Sequence, residues 1–357
     1  MDQTQAHALR NLLQKLKLNG VIVSGLPNVR YLSGYTGSDA TLWLSARVRL
    51  LFTDSRYTTQ ARAEAPDFQV IEYRRKAEEI CQALKKRGVE RAGFESGRLT
   101  HALYREYRRH LRGVKLTPLR QELERLRAKK SDSELQKIQR AGEIARQALT
   151  RVMPMLKPGV REREVALALE HLMKQLGAEQ VPFPAIVASG RRGALPHGVA
   201  SNKKLKAGEL VTLDFGCSYR GYNSDQTLTL CLGEPSAKQK RIYEVVRQAQ
   251  ARAIAAIRPG ASPRAVDARA RDYIREQGFG EYFGHGLGHG VGLEVHEEPY
   301  LNSQAKGRLE AGMVVTVEPG IYIPGWGGVR IEDMVAVTAT GARVLTQSSG
   351  PLRVCAI

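Results

Sequence analysis

Two acidic residues in an otherwise apolar hairpin constrain the fold of this chain more than any other feature. Residues 313–333 read MVVTVEPGIYIPGWGGVRIED, with β-branched strand formers on both sides of a glycine-rich turn. Glu318 and Glu332 are equidistant from Gly325, so an antiparallel register centred there would place them opposite each other. Facing carboxylates removed from water are destabilising unless a cation binds them. The pattern therefore predicts a cation at this hairpin.

A second hairpin repeats the arrangement earlier in the chain. The segments LVTLDFG (210–216) and NSDQTLTL (223–230) flank a turn around Arg220 and Gly221. Asp214 and Asp225 are equidistant from the Tyr219–Arg220 junction, which predicts that these two acids also face each other. One such pair could be a chance placement of surface acids, but two pairs favour a shared metal site.

Histidines cluster with glycines just before the last hairpin, in the segment HGLGHGVGLEVHEE (285–298). Glycine permits close approach of the backbone, so His285, His289 and His296 can crowd together. A single histidine would more often be a structural residue, whereas three beside four candidate carboxylates favour metal binding. His197, in the sequence ALPHG, is a further loop histidine.

Length and composition fit a two-domain globular protein of 357 residues. The first residues lack the basic and apolar regions of a signal peptide, and no apolar run approaches the ~20 residues of a membrane span. The cysteines, at positions 81, 217, 231 and 355, lack CxxC spacing. They are typical of reduced thiols, and we expect a cytoplasmic protein.

The formal net charge is +19, and most of the basic excess lies in the first third of the chain. Such a surface could attract nucleic acid, anionic lipid or acidic peptides, or it could simply be solvated. The sequence contains no helix-turn-helix pattern, zinc-finger spacing or aromatic stacking pattern. We therefore do not expect nucleic-acid binding.

Two domains are predicted from the pattern of elements. Residues 1–128 alternate helices and short strands, which indicates an α/β domain. Residues 129–357 begin at a basic linker, followed by a capping box at Ser131 and Glu134 that starts a long helix. This second domain contains an internal echo. Pro-Gly at 158–159 recurs at 259–260, and the helix-ending Gly177 recurs as Gly278 at the same spacing.

These motifs resemble one family. LDFG, NSDQT, HGLGHGVGLEVHE, EPG and GVRIED carry residues that resemble the five-ligand set of the pita-bread (M24) metallopeptidases, namely Asp214, Asp225, His289, Glu318 and Glu332. Within that family the chain is most similar to Xaa-Pro aminopeptidases and prolidases. NVRYLSGYTGSDA and TDSRYTTQA resemble the creatinase-type N-terminal domain. The resemblance implies an α+β fold: a pita-bread domain of two pseudo-twofold α–β halves, preceded by a smaller α/β domain.

The same resemblance implies a dinuclear site and a role for each ligand. Asp214 would bind one ion, Asp225 and Glu332 would bridge both, and His289 and Glu318 would complete the second. A carboxylate-rich set suits manganese, and cobalt or zinc could also occupy it.

By resemblance, further residues would act on the peptide. Glu318 would carry a proton to the leaving proline nitrogen. His197 and His296 would stabilise the tetrahedral intermediate, His285 would line the proline side, and Arg330 would hold the carboxylates.

The resemblance leaves three functions open. The first is an Xaa-Pro aminopeptidase acting on proline-containing peptides, and the alternative is an Xaa-Pro dipeptidase, or prolidase. The third is a protein that has lost catalysis and binds nucleic acid through its basic domain, against which the intact ligand set argues. Relatives with this domain arrangement are commonly homodimers, which is the expected partner here.

Overall fold

Helices and strands alternate along the first third of the chain, as its apolar pattern predicts. The computed structural model describes residues 1 and 3–356. It separates a first unit, Met1–Arg127, from a second that begins at Ala128. The elements of the first unit are α1 (Gln3–Leu16), β1 (Gly20–Val23), α2 (Leu26–Ser33), β2 (Thr41–Ser45), β3 (Arg49–Thr53), α3 (Thr58–Glu64), β4 (Gln69–Glu72), α4 (Lys76–Lys85), β5 (Arg91–Glu95), α5 (His101–His110) and β6 (Lys115–Leu119).

The strands of the first unit form one mixed sheet in the order β4-β3-β2-β1-β5-β6. Strands β1, β2 and β3 are antiparallel, and the outer pairs are parallel. Side chains alternate between the two faces, so Leu42 and Leu44 enter one apolar core while Trp43 enters the other. Helices cover both cores, which confirms the α/β class of this unit.

The first half of the second unit begins where the capping box predicts. The side chain of Ser131 accepts from the backbone of Glu134, whose side chain in turn accepts from the backbone of Ser131. The elements that follow are α6 (Asp132–Val152), α7 (Glu162–Gln175), β7 (Ile186–Ser189), β8 (Leu210–Phe215), β9 (Ser218–Tyr219), β10 (Tyr222–Asn223) and β11 (Gln226–Leu232).

The second half repeats this order of two helices followed by strands. Its elements are α8 (Ala237–Ala256), α9 (Pro263–Glu276), β12 (Gly288–Gly290), β13 (Glu297–Leu301), β14 (Val314–Val317), β15 (Gly320–Ile323), β16 (Gly327–Arg330), β17 (Asp333–Val337), β18 (Ala342–Val344) and β19 (Arg353–Cys355). The sheets of the second unit run β19-β11-β8-β7 and β13-β12-β14-β17-β18, with the short pairs β9-β10 and β15-β16 beside them.

The internal repeat predicted from the sequence is present in the backbone. Gly159 and Gly260 lie between the paired helices with φ of 96° and 80°, and Gly177 and Gly278 follow the second helix of each half with φ of 102° and 86°. Glycine adopts this left-handed region without steric cost. The two repeated α–β halves and the α+β class are confirmed.

The sequence analysis also makes predictions about the cysteines and about membrane-spanning segments. The four cysteines are free, as expected: Cys81, Cys217 and Cys231 are buried and Cys355 is half-buried. In the part of the chain that the structure describes, the helices fall short of the length and apolar content that a membrane span requires.

Candidate metal centre

The C-terminal hairpin has the register that the sequence predicts. Val317 pairs with Asp333 between β14 and β17, and the pairing of β15 with β16 continues the same alignment nearer the turn. Glu318 and Glu332 fall opposite each other in the gap between these two ladders. The backbone N–H of Glu332 does not pair across the hairpin but donates to the Thr227 carbonyl, at 2.9 Å. This hydrogen bond links the hairpin to β11 in the other half.

The register predicted for the first hairpin is wrong by two residues. Asp214 pairs with Thr227, rather than with Asp225. The turn is centred between Arg220 and Gly221, one residue later than expected, and both adopt positive φ, 48° and 80°, which suits a two-residue hairpin loop. Because side chains alternate along a strand, a shift of two residues keeps both acids on the same face.

Side chains from both hairpins converge on one point. Ligand atoms of Asp225, His289 and Glu332 all lie within 4.8 Å of one another, and all three residues are buried. The Nε2 atom of His289 lies 3.7 Å from Asp225 Oδ2 and 3.4 Å from Glu318 Oε1. Asp214 lines the same cavity, and its buried Oδ1 has no hydrogen-bond partner in the structure.

His289 is oriented with one ring nitrogen towards these acids. Its Nδ1 lies 3.0 Å from the Gly290 carbonyl, which can only accept, so Nδ1 carries the proton. Its backbone N–H donates to Thr316 Oγ1 at 3.0 Å. Burial lowers the pKa of His289 to about 4, so the ring is neutral and the Nε2 lone pair faces the carboxylates. A metal-binding histidine needs this tautomer.

The acids are held in an unfavourable environment in the absence of a cation. Burial, reinforced by repulsion from neighbouring carboxylates, raises the pKa of Asp225 and of Glu332 well above the usual range. Burial also raises the pKa of Glu318 to about 8. Bound divalent cations reverse this preference, because they favour the ionised form. The oxygen-rich donor set, with one imidazole and an orphaned Asp214 oxygen, therefore fits a divalent metal centre.

A threonine and an arginine fasten the two hairpins together around the acids. Thr227 Oγ1 donates to Glu332 at 2.7 Å and accepts from Arg330 Nε at 3.1 Å. The Nη2 atom of Arg330 donates to Asp214 Oδ2 at 2.7 Å, and Nη1 donates to the Tyr322 hydroxyl at 2.9 Å. Arg330 therefore contacts one of the carboxylates that it is predicted to hold, and its role stays a prediction. Thr227 was not singled out from the sequence, although its position two residues after Asp225 places both on one face of the chain.

A cavity of about 650 Å³ opens over the acids. The nine residues predicted to bind metal or act on substrate all line it, namely His197, Asp214, Asp225, His285, His289, His296, Glu318, Arg330 and Glu332. Apolar side chains form much of the remaining wall, among them Phe183, Ile186, Val199 and Val295. The cavity therefore presents a charged floor and a largely apolar wall to whatever it binds.

The cavity histidines differ in their surroundings. The His296 ring lies 4.2 Å, between centroids, from the ring of His289, and partial burial lowers its pKa. The His285 ring packs edge-on against Phe283 and contacts Tyr322, whose hydroxyl lies 3.0 Å from Nε2. Burial lowers the pKa of His285 to about 4, which keeps this part of the wall uncharged.

Family models and a curated relative match nearly the whole chain. Residues 136–339 match the model of metallopeptidase family M24, and residues 6–129 match the creatinase/prolidase N-terminal domain. An Xaa-Pro dipeptidase of Pyrococcus horikoshii is 39% identical over 350 residues, which cover 95% of this chain and 96% of the relative.

Solved structures share the fold over the same extent. An Xaa-Pro dipeptidase from Bacillus anthracis is 40% identical with a TM-score of 0.95, and the match covers 99% of each chain. An X-Pro aminopeptidase from Thermotoga maritima is 36% identical with a TM-score of 0.90, again over 99% of each chain.

Proposed function

The chain belongs to metallopeptidase family M24, as its motifs indicated, and on this premise we propose that it hydrolyses Xaa-Pro dipeptides with two divalent metal ions. The observation that carries the proposal is the buried cluster of Asp225, His289 and Glu332 at the floor of a largely apolar cavity. Relatives named Xaa-Pro dipeptidase, at 39% and 40% identity, favour the dipeptidase over the aminopeptidase that the sequence placed first.

Five side chains would hold the ions. Asp214 would bind one ion, and its orphaned Oδ1 supports this assignment. Asp225, His289, Glu318 and Glu332 would be the other ligands that hold the two ions. When bound, such a pair of ions polarises the scissile carbonyl and makes water acidic enough to supply hydroxide near neutral pH. Manganese suits this oxygen-rich set, with cobalt and zinc as alternatives.

Glu318 would move the proton during hydrolysis. It accepts a proton from the attacking water, whose oxygen forms the new bond to the carbonyl carbon before proline. It then donates that proton to the proline nitrogen as the carbon–nitrogen bond breaks. Thr316 Oγ1 donates to Glu318 Oε1 at 3.3 Å and so orients the carboxyl group.

The cavity histidines would bind and orient the peptide. His197 and His296 would donate to the oxygen of the tetrahedral intermediate, where the charge develops. The uncharged His285 ring would pack against the proline ring. Its packing between Phe283 and Tyr322 supports this role, because a fixed planar wall matches a rigid five-membered ring.

The second candidate is an Xaa-Pro aminopeptidase, favoured by the likeness to the Thermotoga maritima enzyme. Both activities would use the same metal ligands. They differ in whether the active site accepts a peptide that has further residues after proline.

Substrate length separates the two candidates. Protein loaded with manganese would be assayed on Ala-Pro, Ala-Pro-Ala and a longer Ala-Pro peptide, with Ala-Ala as the control for proline specificity. A dipeptidase cleaves Ala-Pro and leaves the longer substrates intact, whereas an aminopeptidase cleaves Ala-Pro-Ala and the longer peptide. Failure of the fully metallated protein to cleave any of them would contradict both proposals.

A further inference from the structure

One acid outside the metal centre is completely buried and makes an unusual set of contacts. Glu162, in the first turn of α7, has 0% exposed surface. Its Oε1 accepts from the backbone N–H and the hydroxyl of Ser189, at 2.9 and 2.8 Å. Its Oε2 accepts from the N–H and hydroxyl of Ser201, at 3.1 and 2.6 Å, and also from the guanidinium of Arg192.

The two serines are the ends of a single loop. Ser189 is the last residue of β7, and after residues 190–200 the chain comes back to the same carboxylate at Ser201, ahead of β8. His197 lies within this loop and lines the cavity. One carboxylate therefore closes the neck of the loop, with each oxygen holding one end.

Further contacts reach from the neck towards the histidine. Arg192, paired with Glu162, also donates from Nη2 to the Val199 carbonyl at 2.7 Å. On the opposite side, Arg330 Nη1 donates to the Pro196 carbonyl at 3.1 Å. His197 thus lies between two tethered backbone positions, one held from Glu162 and the other from the metal centre.

A buried carboxylate is costly unless donors surround it, and every donor named here belongs to the loop or its ends. We propose that Glu162 is a positioning residue that closes the neck of the 190–200 loop and so sets the place of His197 in the cavity. The inference rests on the proposed role of His197 in hydrolysis.

The second half of the unit contains a similar arrangement of a buried acid and an arginine. Asp267 in α9 makes a two-pronged ion pair with Arg271, both distances being 2.8 Å. Arg271 donates to the carbonyls of Phe283 and His285, while Asp267 accepts from the Leu287 N–H at 3.1 Å. In each half, a buried acid on the second helix therefore pairs with an arginine, and the pair holds a segment that carries a cavity histidine. The arginine lies on the helix in the second half and in the loop itself in the first.

Replacing Glu162 by glutamine tests the neck without changing side-chain size. The amide nitrogen of glutamine would face N–H and O–H donors at one end, so that end is released. We expect kcat to fall by about 10- to 100-fold with KM little changed, because a small displacement of a catalytic group has an effect of this order. Bound metal should stay at the wild-type amount. The matched control is Glu143→Gln, which removes a half-buried acid paired with Arg140 on α6.

A second measurement reads the loop directly and does not depend on activity. The exposed Arg191 lies just inside the neck and is a trypsin site. Glu162→Gln should accelerate trypsin cleavage at Arg191 by about 10-fold or more, since cleavage follows local opening. An unchanged cleavage rate would contradict the proposal that Glu162 closes the neck of the loop, whatever the peptidase activity of the variant. Should Glu162→Gln fail to fold, Ser201→Ala carries the same test, because it removes the 2.6 Å hydroxyl contact to Glu162 together with the 3.1 Å bond that this hydroxyl accepts from the Lys203 N–H.

A double-mutant cycle decides whether Glu162 acts through His197. In the His197→Ala background, Glu162→Gln should cost less than about 2-fold further in kcat, because the group it positions is already absent. A full additional loss in that background would overturn the proposal and indicate a general effect on folding. Absence of Xaa-Pro hydrolysis by metal-loaded wild-type protein would contradict the proposed function, while the trypsin measurement would still judge the neck.

Discussion

Removing the metal should make the stability of this protein fall as the pH rises from 6.5 to 8. Glu318 sets this pH range. Burial raises the pKa of its carboxyl group from 4.5 to about 8 in the metal-free fold. Between these values the unfolded chain has lost the proton and the folded chain has kept it. Each pH unit in the window therefore shifts the balance towards the unfolded state.

The magnitude follows from proton linkage. One proton over 1.5 pH units corresponds to about 2 kcal/mol, at about 1.4 kcal/mol per unit. Asp225 and Glu332, whose pKa values are also raised, act in the same direction. The buried histidines His285 and His289 have the opposite effect on stability, and in a different pH range. Their pKa values are lowered from 6.5 to about 4, so the stability they contribute is lost only as the pH falls below 6.5.

Equilibrium urea unfolding of chelator-treated protein at several pH values measures this effect. The free energy of unfolding should drop by about 2 kcal/mol or more across the window, or the melting temperature by about 4–8 °C for a unit of this size. Glu318→Gln should reduce the drop by the share of that one proton, about 2 kcal/mol, and added manganese should abolish the slope. A metal-free protein whose stability is constant or rises between pH 6.5 and 8 would refute the reasoning.

Two further predictions concern single side chains. Asp225→Asn or Glu332→Gln should remove bound metal and peptidase activity together, and full activity with two ions per chain, by elemental analysis, would rule out bridging ligands there. Lys130→Met should destabilise the fold by about 3–5 kcal/mol in urea unfolding, because it removes the ammonium 2.7 Å from the buried Glu297 carboxylate, where both side chains are 1% exposed. The control Lys129→Met, at an exposed ion pair, should cost less than about 1 kcal/mol, and equal losses in the two variants would contradict the reasoning.

The two hairpins show how far local pattern predicts register. The C-terminal hairpin has strand formers on both sides of a turn that contains Gly325, at φ 75°, so its centre could be located from the sequence. In the first hairpin the left-handed position belongs partly to Arg220, a residue type that rarely adopts it. The sequence therefore locates the turn near Arg220 and Gly221 but not its centre to the residue, and a centre placed one residue too early makes the predicted pairing of Asp214 with Asp225 wrong by two residues.

Residues that act across long sequence separations escaped the sequence analysis. Glu162 and Glu164 are both acids in the first turn of α7, where acids commonly stabilise a helix start. Nothing local distinguishes the capping Glu164, which accepts from the Arg161 N–H, from the buried Glu162. Only the return of the chain at Ser201 separates the two, and that is a tertiary contact.

The link made by Thr227 and Arg330 joins the two hairpins through protein atoms alone. A cage built in this way is preorganised: folding itself gathers the carboxylates from both halves of the unit, and the arriving ion does not have to. Donor chemistry of this kind discriminates weakly among small divalent ions, so geometry and the supply of metal would together decide which ion is bound. An assay with a single added ion would therefore test only one of the ions that such a cage could hold.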